Sequence, residues 1–280
     1  MAHSFVIAGR DAAAPVCIRR IRPADLTAVL AKGIDDFIAK PSHLVLLSLI
    51  YPVFLGFYAV TFTGNALPLL YPLVAGFTLV GPVVAIGLYE VSRQRELGRE
   101  PSWKSAFNVL RSPAIHSIVS LGFVLMMILL CWLTAAWLLY AWLFGPSPPA
   151  SYATLGYEVL TTHRGWTLIV IGNAIGLFFA MLALSISVIS FPLLLDRTDI
   201  GAASAVRASV GAVLANPVTM AIWGLIVATL LVAGSLPLFV GLAVVMPILG
   251  HSTWHLYRRV VKPPAARSRQ PVDCSGRSES

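Results

Sequence analysis

Residues 103–113 read WKSAFNVLRSP and lead directly into a long apolar run. On a helix, Trp103, Phe107 and Leu110 share one face, while the opposite face is basic at Arg111. A basic helix with a Trp/Phe/Leu face is typical of a helix that lies in the plane of a membrane surface. The stretch therefore predicts an interfacial helix that precedes a transmembrane span.

The same spacing recurs before two other apolar runs. Residues 105–113 read SAFNVLRSP, residues 209–217 read SVGAVLANP, and residues 33–41 read GIDDFIAKP. A proline suits the first turn of a helix, because its missing N–H costs nothing there. An internal repeat of one surface helix and one transmembrane hairpin explains this spacing. Chance matches in so apolar a chain explain it equally well, so both interpretations stay open.

The composition indicates a polytopic membrane protein. Hydrophobic residues make up 58% of the chain, charged residues make up 11%, and the mean hydropathy is +0.82. A soluble domain carries about 25% charged residues. The net charge of +8 does not indicate a nucleic-acid partner, because the basic residues flank the apolar runs. The partner that the composition predicts is the lipid bilayer.

We predict an all-α membrane protein with six transmembrane helices arranged as three hairpins, each preceded by a short cytoplasmic amphipathic helix. The predicted spans are residues 43–63, 67–89, 114–144, 166–195, 217–234 and 236–256. They form a membrane domain of residues 22–261, between a disordered lead-in of residues 1–21 and a disordered basic tail of residues 262–280. Residues 145–164 are predicted to be a loop, and Pro192 is predicted to bend the fourth span.

The two other amphipathic helices have weaker apolar stripes. In the first, a polar face of Lys32, Asp35 and Asp36 opposes an apolar stripe of Leu26, Val29, Leu30, Ile34 and Phe37. In the third, the stripe consists of Val206, Val210, Val213 and Leu214. We expect each stripe to be the buried face of its helix.

The distribution of lysine and arginine predicts the orientation. With six spans, 19 of the 20 Lys and Arg residues fall on the side of the termini, and Arg164 alone falls on the other side. Cytoplasmic loops carry the excess of basic residues, so both termini are predicted to be cytoplasmic. Glu90, Asp196 and Arg197 lie at the inner ends of spans, where either snorkelling or ion pairing explains them.

The spans contain few polar groups. No Asp, Glu, Lys or Arg lies near a midplane, which argues against a proton relay built from carboxylates. Asn173 is the clearest deep polar residue, and Ser185, Ser187 and Ser190 follow it on the same span. These side chains either hydrogen-bond within and between helices or line a substrate path. Residues 172–176 form a GxxxG pattern, which usually indicates helix packing.

The histidines allow a second hypothesis. His251 and His255 share a face of the sixth span, and His116 begins the third, so these residues could bind haem or a metal near the inner leaflet. The other explanation, which the absence of any metal motif favours, is hydrogen bonding to lipid headgroups or helix ends at the membrane interface. The three cysteines are far apart, so no disulfide framework is predicted, and no motif for a nucleophile, a metal or a nucleotide is present.

Four runs of the sequence carry a resemblance to a known family. They are residues 70–103, LYPLVAGFTLVGPVVAIGLYEVSRQRELGREPSW; residues 187–197, SVISFPLLLDR; residues 216–228, NPVTMAIWGLIVA; and residues 241–261, GLAVVMPILGHSTWHLYRRVV. With these runs the chain resembles a family of proteobacterial inner-membrane proteins defined only as a domain of unknown function. The resemblance extends over about residues 22–261, and it implies an inner-membrane location but no site residues.

Some members of that family carry a label resembling cytochrome c oxidase subunit I. The residues here do not support that label, because an oxidase core needs several histidines on several spans. This chain has six histidines in all, and His3 and His163 lie outside the predicted spans.

We therefore expect a non-enzymatic membrane protein without a cofactor: a permease-like carrier, or a scaffold that assembles or organises other membrane complexes. The alternative is a haem- or metal-binding redox component that uses His251, His255 and His116. A carrier is expected to depend on Asn173, whereas a scaffold is expected to depend on the interfacial residues Trp103, Phe107 and Arg111. Partners among membrane proteins, including a second copy of the chain, fit either reading.

Overall fold

The computed structural model of the chain describes residues 5–7, 16–39, 85–100, 112–147, 152–236 and 241–262. Its helices are α1 Asp25–Ala39, α2 Ile86–Glu96, α3 Ile115–Phe144, α4 Tyr152–Thr161, α5 His163–Ser187, α6 Ser190–Asp196, α7 Ala202–Ala215, α8 Pro217–Ser235 and α9 Leu242–Val260. Two short antiparallel strands, β1 Phe5–Ile7 and β2 Val16–Ile18, precede them. The chain is thus helical, as predicted. It forms two compact units, residues 1–49, 82–121 and 185–280, and residues 50–81 and 122–184.

Three helical stretches are long and apolar enough to cross a membrane: Ile115–Phe144, His163–Asp196 and Pro217–Ser235. They coincide with the third, fourth and fifth predicted spans. The first predicted span and most of the second lie outside the described residues. Helix α9 covers most of the sixth predicted span, but it ends in the polar run HSTWHLYRRV and is not one of these three. Six spans in three hairpins therefore stay a prediction.

The helices of the second unit pack through small residues. A Cβ on Gly176 would lie 2.8 Å from the ring of Trp132, and a Cβ on Gly172 would lie 3.6 Å from Leu139. The rings of Trp132 and Phe179 pack beside them, with centroids 5.9 Å apart. The GxxxG pattern of α5 therefore lets it approach α3 of the same chain, as the sequence indicated.

A two-residue break separates α5 from α6 at the inner end of the fourth predicted span. Pro192 lies within the first turn of α6, so it cannot donate to the carbonyl of Val188, and its ring crowds that carbonyl. The N–H of Ile189 in the break instead donates to the hydroxyl of Ser209, 3.2 Å away. The predicted bend is therefore present, and Ser209 of α7 provides a hydrogen-bond acceptor for a backbone N–H in the break.

The prediction of a loop at residues 145–164 is wrong from residue 152 onward, because α4 spans Tyr152–Thr161 and α5 begins at His163. Thr162 separates α4 from α5, and its hydroxyl accepts a hydrogen bond from the N–H of Gly165 at 3.0 Å. This is the bond that a threonine at a helix N-cap makes to the third residue of the helix. Residues 162–165 of the sequence already contained that start signal.

The N-terminal segment also differs from the predicted disordered lead-in. The side chains of β2 are buried, and the strand is held by the end of α9, because Arg19 N–H donates to the carbonyl of Val260 at 2.8 Å. The Asn216 side chain accepts from Ile21 N–H at 2.7 Å and donates to the carbonyl of Arg19 at 3.1 Å. The segment is ordered by partners almost two hundred residues away, which no local pattern reveals.

Cys17 of β2 is disulfide-bonded, which corrects the expectation of no disulfide, and its partner lies outside the described residues. Cys131 of α3 is an exposed free thiol. Disulfides persist in oxidising compartments. The bond at Cys17 therefore opposes the cytoplasmic orientation that the basic residues favour.

Helix α9 is the centre of the first unit. It makes its most extensive contacts with α1 and also packs against α2, α8 and α6. Trp254, Leu256, Tyr257 and Val260 of α9 are fully buried. The second half of this helix is therefore the core around which the other helices of the unit assemble.

Helix α1 buries only part of the predicted stripe, together with residues outside it. Leu26, Val29, Gly33 and Asp36 are buried, at spacings of three or four residues, whereas Ile34 is 41% exposed. The stripe prediction is therefore correct for Leu26 and Val29 and wrong for Ile34, because Gly33 permits close approach to α9 and this rotates the buried face toward Asp36. In α7, likewise, small residues such as Ala205 and Ala212 are buried, while Leu214 of the predicted stripe is 73% exposed.

Candidate functional site

The carboxylate of Asp36 is the hub of a polar cluster between α1, α2 and α9. Its Oδ2 accepts from Ser92 Oγ at 2.6 Å and from His255 Nε2 at 2.8 Å, and its Oδ1 accepts from the guanidinium of Arg95. Ser92 Oγ also lies 2.7 Å from His251 Nδ1. The residues come from three helices widely separated in sequence, so the cluster joins α1, α2 and α9 side by side.

The partners fix where the protons lie. A carboxylate only accepts, so the Ser92 hydroxyl donates to Asp36, and His251 Nδ1–H donates to Ser92. The hydroxyl of Ser92 therefore points away from the imidazole, opposite to a serine that a histidine activates. Ser92 is 1% exposed and His251 is 0% exposed, so this arrangement joins helices in the interior of the unit.

Asp36 is held ionised in spite of its burial. Burial raises the pKa of its carboxyl, but hydrogen bonds from His255 and Ser92, together with the charges of His255 and His251, lower it by more. The pKa of Asp36 therefore lies below its ordinary value. A folded-state pKa below the unfolded one contributes stability at neutral pH that is lost only as the pH falls into the acid range.

Two buried atoms in the cluster remain without a hydrogen bond. His251 Nε2 and the hydroxyl of Ser252 make none with the described part of the chain. Both belong to α9, and Ser252 lies directly against Gly33 of α1. The close contact of the two helices at Gly33 therefore comes with incomplete polar pairing.

A second set of polar bonds ties α9 to α2 and α6. Trp254 Nε1 and Arg258 Nε donate to Glu96 at 3.0 and 2.9 Å, and the hydroxyl of Tyr257 donates to Asp196 at 2.6 Å. Burial lowers the pKa of Arg258, but its bond to Glu96 and the nearby carboxylates raise it by more. Burial also raises the pKa of the Tyr257 hydroxyl. Both groups thus stay protonated donors.

Ion pairs are present at the inner ends of the spans. Glu90 is buried and receives Arg93 at 2.8 Å, Asp196 receives Arg258 at 3.4 Å, and Arg197 pairs with Asp199 at 2.8 Å. Of the two explanations that the sequence left open, snorkelling and pairing, these contacts favour pairing.

A cleft of about 590 Å³ adjoins the Asp36 cluster. Residues of α1 and of α9 line this cleft, and so does Arg19, which directly follows β2. The charged or titratable side chains that line the cleft are Arg19, Lys32, Asp35, Asp36, Arg95, Glu96, His255, Arg258 and Arg259.

The structure brings two of the three histidines together and not the third. His251 and His255 meet through Ser92 and Asp36, whereas His116 is exposed at the start of α3. Within the described residues, no three His, Cys, Asp or Glu side chains are grouped to hold a metal ion. One ring nitrogen of each histidine contacts Ser92 or Asp36, and Nε2 of His251 is buried without a hydrogen bond to any described residue.

The polar residues of the fourth span do not meet in one place. Asn173 is exposed on α5 and donates to the carbonyl of Ile169 on its own helix, at 2.7 Å. Ser187 and Ser190 are buried at the helix break, where Ser190 bonds the carbonyl of Ile186, and Ser185 is half-buried. The predicted interfacial residues Trp103, Phe107 and Arg111 lie outside the described residues.

The comparison with known families agrees with this architecture. Residues 70–196 match DUF2189, a family described as a predicted integral membrane protein. The match spans just under half of the chain and confirms the resemblance to a membrane family of unknown function. The chain matches no curated protein and no solved structure. The DUF2189 segment contains Ser92 and Arg95 of the cluster, while Asp36 and the two histidines lie outside it.

Asp36, Ser92 and Arg95 were not predicted from the sequence as members of one cluster. Asp36 sits in a run of charges that ordinarily faces water, and Ser92 has no motif around it. The available signal was Gly33, because a glycine inside a helix costs about 1 kcal/mol relative to alanine and often marks a close contact. Reading α1 with Gly33 at the centre of its buried face would have placed Asp36 inward.

Proposed function

We propose that this integral membrane protein is a non-enzymatic scaffold that associates with other membrane proteins or with a second copy of itself. The observation that carries the proposal is the position of Asn173. It lies on the exposed side of α5 between Val170 and Leu177, which are 65% and 64% exposed. A polar amide within an apolar, lipid-facing surface is typical of a contact between membrane helices.

The same observation does not favour the permease-like carrier, to which the sequence had assigned Asn173. A carrier needs polar groups that converge on a cavity within the membrane. Here the amide of Asn173 faces outward, and the hydroxyl of Ser190 bonds its own helix at the break. These contacts support the role of polar groups in helix packing and association.

The Asp36 cluster likewise supports a role without catalysis. The Ser92 hydroxyl donates its hydrogen bond to a carboxylate, and both Ser92 and His251 are buried. A nucleophile needs a base that accepts its proton and a reacting atom within reach. The cluster instead braces the helices of the first unit, which suits a rigid platform for partners.

The test replaces Asn173 by leucine and measures association. We expect the Asn173→Leu variant to form complexes about 3- to 20-fold more weakly in native gels of mildly solubilised membranes, the range measured for hydrogen bonds between membrane helices. Thr134→Val is the matched control, because Thr134 is also exposed on a span and bonds its own helix at 2.8 Å. Unchanged complexes, together with lost uptake of ions, sugars or amino acids by proteoliposomes, would instead identify a carrier.

We further propose that the protein resides in a bacterial inner membrane with both termini in the cytoplasm, because nearly all lysines and arginines fall on that side of the six predicted spans. A fluorescent protein fused after Lys262 should then be bright, and alkaline phosphatase inserted after Ser147 should be active. The reverse pattern would place the termini in the oxidising compartment, where the disulfide at Cys17 would persist.

A further inference from the structure

The cleft beside α1 and α9 has more positive than negative charge left over after its internal pairs are formed. Asp36 is bound by Arg95, Ser92 and His255, and Glu96 is bound by Arg258 and Trp254. These contacts neutralise two carboxylates and two guanidiniums of the lining. The charged lining residues that take no part in these contacts are Arg19, Lys32, Asp35 and Arg259.

The remaining cations are exposed and weakly engaged. Among the described residues, no ion pair holds Arg19 or Lys32, and both side chains are exposed. Arg259 is 48% exposed and lies 3.7 Å from Asp25, which is outside the lining. Asp35 offsets one of the three charges, so the open cleft is cationic.

The geometry of α1 indicates whether the cleft opens toward water or toward the bilayer. With 100° per residue, the cleft residues Lys32 and Asp35 lie on the opposite side of the helix from the apolar Leu30, Ile34 and Phe37. These apolar residues are partly or largely exposed, which suits contact with the bilayer surface. The cleft then opens away from the bilayer and toward water.

We propose that this cleft binds a phosphate-bearing anion. Guanidinium groups match phosphate oxygens in pairs, and a lysine supplies a compact charge, so Arg19, Arg259 and Lys32 form a suitable set. The volume of about 590 Å³ is that of a small-molecule site. The position of the cleft favours a soluble phosphate compound over a lipid headgroup. This proposal holds for a scaffold and for a carrier alike.

The experiment uses the full chain in nanodiscs of phosphatidylcholine, titrated with pyrophosphate in a calorimeter. We expect saturable binding that weakens about ten- to a hundredfold in Lys32→Gln and in Arg19→Gln, the loss expected for one charge-assisted hydrogen bond. Arg207→Gln is the matched control, because Arg207 is an exposed cation of the same unit outside the cleft that bonds Ser204. Melting curves establish that each variant is folded.

A second arm separates the two sources of phosphate. Nanodiscs containing phosphatidylglycerol are analysed by native mass spectrometry for lipids retained by the chain. Retention that Lys32→Gln removes, without pyrophosphate binding, keeps the phosphate chemistry and assigns it to a lipid headgroup. Absence of both kinds of binding, or equal affinity in the Lys32→Gln and Arg207→Gln variants, overturns the proposal.

Discussion

Replacing Asp36 by asparagine should lower the melting temperature of the purified protein by roughly 6 to 20 °C. The change removes the buried charge that Arg95 and His255 face, and it places an amide donor against donors. Breaking one partner of a buried ion pair costs about 3–5 kcal/mol, and 1 kcal/mol corresponds to about 2–4 °C for a chain of this order of size. A fluorescence-monitored thermal unfolding curve in detergent measures the shift.

Asp35→Asn is the matched control for this prediction. Asp35 is the neighbouring carboxylate on the same helix, it is exposed, and none of the described residues pairs with it. Its melting temperature should stay near that of the wild type, since surface charges contribute little. Adding Arg95→Gln to Asp36→Asn should recover part of the loss, because it removes the unpaired guanidinium. Equal melting temperatures for the two asparagine variants would refute the hub role of Asp36.

Replacing Gly33 by alanine should separate α1 from α9 even though alanine favours a helix. A Cβ at this position would overlap the hydroxyl of Ser252 and would lie 2.8 Å from its backbone nitrogen. A flexible side chain can rotate away, but a helix backbone cannot, so the helices must move apart. The polar cluster around Asp36, three residues further along the buried face, then loses its geometry. We expect a stability loss comparable to that of Asp36→Asn.

The matched control for Gly33→Ala is Gly156→Ala in α4, where a Cβ would meet nothing within 4 Å. That variant should be neutral, or more stable by up to about 1 kcal/mol. Trypsin cleavage after Lys32 reports the release of α1 directly, and it should accelerate in Gly33→Ala alone. Adding Ser252→Gly removes the side-chain overlap but leaves the nitrogen contact, so it should restore only part of the protection. An unchanged cleavage rate in Gly33→Ala would contradict the close contact.

Periodicity and composition predicted those parts of the fold in which the solvent alone decides which residues are buried. The third to fifth spans follow from apolar length, and the bend near Pro192 follows from the chemistry of proline. The burial of Gly33 and Asp36 on α1 could not be predicted in this way, because it is set by contact with one other helix. Gly33, which has no side chain, and the ionised Asp36 are buried there, while the larger Ile34 remains exposed.

The candidate site was predictable only in part for the same reason. The spacing of His251 and His255 placed them on one face, and that face does meet the cluster. Their partners on α1 and α2 lie far away in sequence, and no motif links them. Asn173 was identified from its chemistry alone, but the side of α5 that it occupies depends on how that helix packs, which a single sequence does not specify.

The pairing of α1 with α9 has a consequence for biosynthesis. The ribosome completes Asp36 early and reaches His251 and His255 more than two hundred residues later. At about 5–20 residues per second, that interval lasts roughly ten to forty seconds. During this time the carboxylate of Asp36 lacks its histidine donors, and Gly33 lacks the helix that it contacts. The first unit therefore closes only as the last described helix emerges, so a truncated chain would expose this polar surface to quality-control proteases.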